Sequence, residues 1–225
     1  MAALLIIFAK EPRPGQVKTR LSPPLAVEAA ARLYQCFLAD ILEEMGRLPE
    51  ISLALTYSPA GAKDFFQKLA KPNVLLFPQE GTDLSARLVR ACDRGFAGGF
   101  ETVLIRNSDS PDLPGEIVLT AEQALESGQT DLVLGPSPDG GYYLVGLTKP
   151  QPQLFQGISW SSATVLPDTL EKARGLSLAV HLLPSWPDID TIADLRTFAA
   201  RPSPPEGPGH RSYLCAKELL EGISK

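Results

Sequence analysis

The sequence predicts an α/β protein of three layers, α/β/α, built on a mostly parallel but mixed sheet. Three observations predict it. Short apolar runs such as LLIIFA (4–9) and TVLI (102–105) lack alternation, as strands covered on both faces do. Stretches of helical periodicity separate these runs, and strands alternating with helices indicate a parallel sheet. The break in the alternation is the close pair 131–135 and 142–147, which implies one antiparallel element.

In chain order, LLIIFA (4–9) is the first strand and a Pro/Gly-rich loop follows it. A helix runs from about Leu25 to Met45, because Leu33, Phe37, Leu38, Ile41 and Leu42 fall on one helical face. ISLALTY (51–57) is a strand, 61–70 a helix and VLLF (74–77) a strand. Asp83 is placed to cap a helix over 84–96. After TVLI (102–105) comes a turn, then a helix with Pro114 in its first turn. DLVLG (131–135) and YYLVGL (142–147) are strands, and Ser161 or Ser162 starts a helix reaching Arg174. LAVHLL (178–183) is the last strand, and Thr191-x-x-Asp194 resembles a capping box for a short helix. RPSPPEGPG (201–209) reads as a linker, and 211–223 as a terminal helix. One domain over 1–200 is expected, with 201–225 as a Pro-rich linker and a helix packed on the same domain.

Composition narrows the function. The 225 residues are 44% hydrophobic and can bury a core. The net charge of −5 argues against a nucleic-acid binder. Cys36, Cys92 and Cys215 are far apart and show neither zinc nor disulfide spacing, so they read as packing residues in a reducing cytoplasm. The apolar stretch 2–9 is too short to span a membrane and lacks a basic leader. Neither His181 nor His210 has a Ser or Cys partner in a recognisable motif, which argues against a hydrolase triad.

Four segments can carry chemistry. KEPRPGQVKTR (10–20) sets Lys10, Arg13, Lys18 and Arg20 against Glu11 alone, with Gly15 letting backbone approach a ligand. Such a loop can hold a di- or triphosphate, although GxxxxGK[ST] is absent. In NSDSPDLP (107–114), Asp109 stands just past the carboxyl end of a strand, where ligands bind in open α/β sheets. A carboxylate there, facing a cationic loop, suits Mg²⁺ or Mn²⁺ shared with substrate phosphates. Asp112, two residues before Pro114, reads as a turn former or cap. PSPDGGYYLVGL (136–147) leaves two readings open for Asp139: a base or sugar ligand beside Gly140 and Gly141, which would let a ligand near backbone, or a hairpin turn. WPDIDTIADL (186–195) offers Asp188 and Asp190, of which Asp190 is the candidate second metal carboxylate. Trp160 in ISWSSAT can stack on a sugar or base, or pack as a lid.

Taken in series, FAKEPRPGQVKTRL, NSDSPDLP, GPSPDGGYYLVGL, ISWSSATVL and DIDTIADL resemble a bacterial family of GT-A-like nucleotide-diphospho-sugar transferases, or candidate glycosyltransferases. That family is related in fold to guanylyltransferases acting on molybdopterin or phospholactate. The resemblance spans residues 8–195. It implies a GT-A fold, a nucleotide-phosphate loop with Lys10, Lys18 and Arg20, a metal aspartate at Asp109, and Asp190 near the metal. It also implies that Asp139, Gly140 and Gly141 border the sugar or acceptor; Tyr142 and Trp160 are the aromatic candidates for that same side. Many relatives read G-[ST]-D-C-P-D at the metal turn; here Ser110 replaces the cysteine, and a strict D-x-D with both acids adjacent to the metal is absent. That departure points to weaker metal binding or to reliance on Asp190.

The expected activity is metal-dependent transfer of a sugar from a nucleotide-sugar to a small-molecule acceptor. Nucleotidyl transfer from an NTP to a phosphorylated acceptor is the second reading, against which stands the missing G-x-G-[ST]-R. A non-catalytic nucleotide-binding module is the third.

Overall fold

The computed structural model describes residues 2–202 and 206–223; positions 203–205 of the expected linker lie outside the described residues. Among the described residues, seven strands form one sheet: β1 (Ala3–Lys10), β2 (Ile51–Ser58), β3 (Leu75–Pro78), β4 (Thr102–Arg106), β5 (Leu132–Pro136), β6 (Tyr142–Leu147) and β7 (Val180–Leu182). Their order is β3-β2-β1-β4-β6-β5-β7. Only β6 is antiparallel to its neighbours, β4 and β5. The expected mixed element is therefore the second arm of the 131–147 hairpin.

The helices of the described residues cover the sheet: α1 (Val27–Met45), α2 (Lys63–Leu69), α3 (Leu84–Ala97), α4 (Gly115–Glu126), α5 (Val165–Gly175), α6 (Ile192–Ala200) and α7 (His210–Ile223). The period-2 geometry of β1 divides its side chains between two cores. Leu5, Ile7 and Ala9 pack with Leu33, Phe37 and Ile41 of α1, Phe66 of α2, Val118 and Leu125 of α4, and Leu195 and Ala216 of α6 and α7. Leu4 and Ile6 pack on the other face with Leu88 and Cys92 of α3 and Ala173 of α5. Burial on both faces is why these strands read as continuous apolar runs.

Helix starts show where local signals suffice. Asp83 caps α3, accepting from the Ala86 amide at 2.8 Å. Thr191 and Asp194 make the full capping box of α6. Two starts differ from expectation. Pro114 stands just before α4 rather than within it, and the Gly115 amide is satisfied at 2.9 Å by Glu44 of α1, a cap from a distant element. α5 begins at Val165, after Ser161 and Ser162, because Ser162 turns back to donate to the Ser159 carbonyl at 2.6 Å. The edge strands β3 and β7 are short and leave Leu75 and Leu182 exposed. α7 begins at His210, one residue ahead of the expected start at 211.

β1 pairs with β2 on one side and β4 on the other, so the chain changes direction across the sheet between β1 and β4. Loops leaving the carboxyl ends of these two strands face one crevice, the usual ligand position in open α/β sheets. β6 runs backwards, which brings its first residue, Tyr142, to the same rim.

Candidate active site

The loop after β1 does not lie in solvent. Lys18 takes a left-handed backbone conformation (φ 47°), unusual for a residue with a Cβ and costing on the order of 1 kcal/mol. That turn sends its side chain inward, where it is 3% exposed. Its ammonium donates to Asp109 Oδ1, to Asp190 Oδ1 at 2.9 Å and to the Ile189 carbonyl at 2.7 Å. An ammonium has three N–H donors, so none is left over. It also stands 5.3 Å from the Phe37 ring centre and 6.0 Å from that of Tyr34. Burial pulls the Lys18 pKa down, but the two carboxylates more than offset this and hold it above the usual lysine value.

Asp109 and Asp190 remain about a third exposed, at 35% and 37% of their side chains. They are brought together by a backbone bond from the Ile189 amide to the Asp109 carbonyl, 2.9 Å. Three oxygens thus converge on one point, and their chemistry is the hard-oxygen kind that Mg²⁺ or Mn²⁺ takes. In this structure that point holds the Lys18 nitrogen. Among the described residues, no three His, Cys, Asp or Glu side chains gather as a metal cluster.

Beneath the acids is a buried polar layer that sequence reasoning undervalued. Asp188 accepts from Asn107 Nδ2 at 2.9 Å, Ser110 Oγ at 2.7 Å and Ser137 Oγ at 3.4 Å. Burial first, and the charge of Asp109 second, push its pKa up to about 6. Of the pair in WPDID, Asp188 therefore ties three loops together, while Asp190 faces Lys18. Ser110 is one of its donors. Arg106 is fully buried, donating to the carbonyls of Asn107 (3.1 Å) and Ser110 (2.6 Å), and burial lowers its pKa to about 10. A charged residue closing the apolar run TVLI was the available signal for it. Asp112 is not a cap: it accepts from Trp186 Nε1 at 3.1 Å and pairs with Arg201 at 2.5 Å.

Two cavities meet at Asp109. One, about 510 Å³, carries Lys10, Lys18, Arg20 and Arg87 with Gln16, Gln79 and Asp190 on its walls. Arg20 is 69% exposed and stands 3.7 Å from Asp190. Arg13 pairs with Glu11 instead, and neither Arg13 nor Gly15 is on the wall. The other cavity, about 260 Å³, has apolar walls from Phe8, Leu84, Leu88, Tyr142, Trp160 and Val165, and Asp109, Asp139 and Asp188 also line it. The Trp160 N–H donates to Ser85 Oγ at 2.7 Å, and Ser85 in turn donates to the Phe155 carbonyl at 2.6 Å. This locks the indole, which meets Tyr142 edge to face.

Asp139 sits in the hairpin turn. It accepts from the Gly141 amide at 3.0 Å there, and it is exposed on the wall of the apolar cavity. Gly140 is required for another reason than ligand approach. Its φ is +90°, and a Cβ there would meet the Ala163 backbone at 2.3 Å. The glycine lets the segment before α5 cross the hairpin, which is how Trp160 reaches the cavity.

The family profile described as an uncharacterized protein conserved in bacteria (DUF2064) matches residues 41–162. A solved structure of a candidate nucleotide-diphospho-sugar transferase from Desulfovibrio desulfuricans G20 is 35% identical, with 100% of this chain and 98% of that chain covered and a TM-score of 0.90. A cytidylyltransferase from Leptospira borgpetersenii serovar Hardjo-bovis matches at 14% identity, with coverage of 100% and 94% and a TM-score of 0.56. A CMP:2-keto-3-deoxy-manno-octonic acid synthetase complexed with CTP matches at 11% identity, with coverage of 97% and 100% and a TM-score of 0.57. The last two show shared fold alone. No curated protein matches the chain. The architecture is the three-layer, GT-A-like fold of nucleotide-diphospho-sugar transferases, and by the matched profile and the 35% identical structure the chain belongs to the DUF2064 family of bacterial proteins.

Proposed function

We propose that the protein transfers a sugar from a nucleotide-diphospho-sugar to a neutral hydroxyl on an acceptor with an apolar body, using Mg²⁺ or Mn²⁺. The observation that carries this is the contrast between the two cavities flanking Asp109. Lys10, Lys18, Arg20 and Arg87 give the larger one the charge that a diphosphate needs. The smaller one has no lysine on its wall, and its arginine, Arg106, is buried in bonds to loop carbonyls. A phosphorylated acceptor, as nucleotidyl transfer requires, would set its charge against Asp109, Asp139 and Asp188. An alcohol would instead find acceptors for its proton.

Within that reading the parts divide the work. Lys10, Arg20 and Arg87 bind the diphosphate and orient it toward Asp109. Asp109 and Asp190 would hold the metal, which supplies positive charge for the departing diphosphate. Asp139, exposed on the wall of that cavity, takes the proton from the acceptor hydroxyl. Asp188, through Asn107 and Ser110, keeps the Asp109 turn in place. Trp160 and Tyr142 form the wall that excludes water from the acceptor.

The test is product analysis after a thermal-shift screen of nucleotides and nucleotide-sugars with and without Mn²⁺. Release of nucleoside diphosphate in the presence of an aryl or alkyl alcohol is expected. Pyrophosphate release from an NTP would replace this reading with nucleotidyl transfer, and nucleotide affinity without turnover would reduce the protein to a binding module.

A further inference from the structure

We infer that Lys18 is an exchangeable internal cation that couples metal binding to nucleotide binding. The inference rests on the proposed function and concerns the same site. Its ground is the position of the Lys18 ammonium at the one point where Asp109, Asp190 and the Ile189 carbonyl converge. A divalent cation held by the same oxygens and an ammonium exclude each other there.

Charge sets the consequence. Asp109 and Asp190 together carry two negative charges. Lys18 supplies one positive charge between them and Arg20 a second beside Asp190. With both in place the carboxylates have little net charge to draw a divalent ion from solution, and their inner oxygens are already bonded. Metal alone therefore binds poorly.

Both cations also line the larger cavity. A diphosphate entering it brings negative charge within reach of the same ammonium and guanidinium. They change partners from carboxylate to phosphate, and the two carboxylates are released together for the metal. Each ligand thereby removes the obstacle to the other, and the coupling is reciprocal, as linkage requires. The side chain has somewhere to go: Lys18 itself lines the cavity beside Gln16, so the ammonium passes from the carboxylates to a polar wall and the entering phosphate. Its left-handed backbone places it at the point of exchange.

The test measures Mn²⁺ by its electron paramagnetic resonance signal, with and without UDP or GDP. Wild type should bind Mn²⁺ at least tenfold more tightly when the nucleoside diphosphate is present. Lys18→Met and Lys18→Gln should raise Mn²⁺ affinity at least tenfold in the absence of nucleotide and lose most of the coupling. Lys18→Arg keeps the charge and should leave nucleotide-free affinity low. Circular dichroism checks that each variant is folded, and three replacements guard against one that is not. Equal Mn²⁺ affinity with and without nucleotide in wild type, or no gain in either neutral variant, overturns the inference. The arm without nucleotide stands apart from the proposed function: failure of every nucleoside diphosphate to bind would sink that function, whereas the Lys18 variants report on the exchange directly.

Discussion

Two ion clusters flank α1, and they are built inside out with respect to each other. At Asp40 the acid is inside: its side chain is 3% exposed, while its partner Arg211 is 53% exposed. Asp40 accepts from the Ser212 amide (2.7 Å), Ser212 Oγ (2.6 Å), the Arg211 amide (3.3 Å) and Arg211 Nη1 (3.1 Å). At Lys18 the cation is inside and the acids reach the surface. The difference teaches what each cluster is for. A buried acid surrounded by fixed donors pins the start of α7 to α1 and has no free oxygen to offer. A buried cation under half-open acids leaves oxygens facing a cavity, where partners can be exchanged.

The comparison breaks first at Asp109. Asp109→Asn should lower sugar transfer by about 10²–10³-fold, the size of losing one charge-stabilising group, with the circular dichroism spectrum retained. Unchanged release of nucleoside diphosphate would put Asp109 outside the reaction. Asp40→Ala should leave the site intact and weaken the fold instead. Stranding its buried donors costs about 3 kcal/mol, or roughly 6–12 °C in melting temperature for a chain of this size. A calorimetric scan in which Asp40→Ala melts with wild type would show that α7 is held by its apolar face alone.

Smaller effects sharpen the contrast. Arg20→Ala removes an exposed cation from the larger cavity, so nucleoside diphosphate affinity should fall about three- to tenfold, and less in high salt. Titration calorimetry at two ionic strengths reads this, and a loss indifferent to salt would argue against a charge role. On the other side of α1, the Cys36 thiol is brought down to about 7 by its hydrogen bond with Cys215. Cys92 is pushed up to about 12 by burial. Alkylation followed by mass spectrometry should mark Cys36 first, with a rate half-maximal near pH 7 because the thiolate is the reactive form. Preferential labelling of Cys92 would show that the α1–α7 contact does not tune the thiol.

Much of this molecule is legible from its residues because local and global preferences agree. LLIIFA and TVLI are apolar throughout since both sheet faces are covered, and Asp83 and Thr191 cap helices through bonds within four residues. The rim was legible too: Asp109, Asp139, Asp190 and Lys18 all stand at the end of the sheet where strands point. What was not legible depends on contacts between distant segments. Lys18 looked like one cation among four, and its approach to Asp109, Ile189 and Asp190, 91 to 172 residues away, distinguishes it. Asp112 satisfies Trp186 and Arg201 rather than a helix, for the same reason. The start of α4 is capped by Glu44 across 71 positions, so no short motif could announce it. Gly140 gives way to a crossing backbone rather than to a ligand, a distinction that φ and sequence alone do not make.

The reversed direction of β6 has one practical outcome. The connections before β5 and after β6, around Gln129 and Lys149, are carried to the far end of the sheet, where Lys149 stands 3.9 Å from Asp131. A fluorophore, biotin or surface tether attached there would hold the molecule by its base and leave the whole rim open to solution.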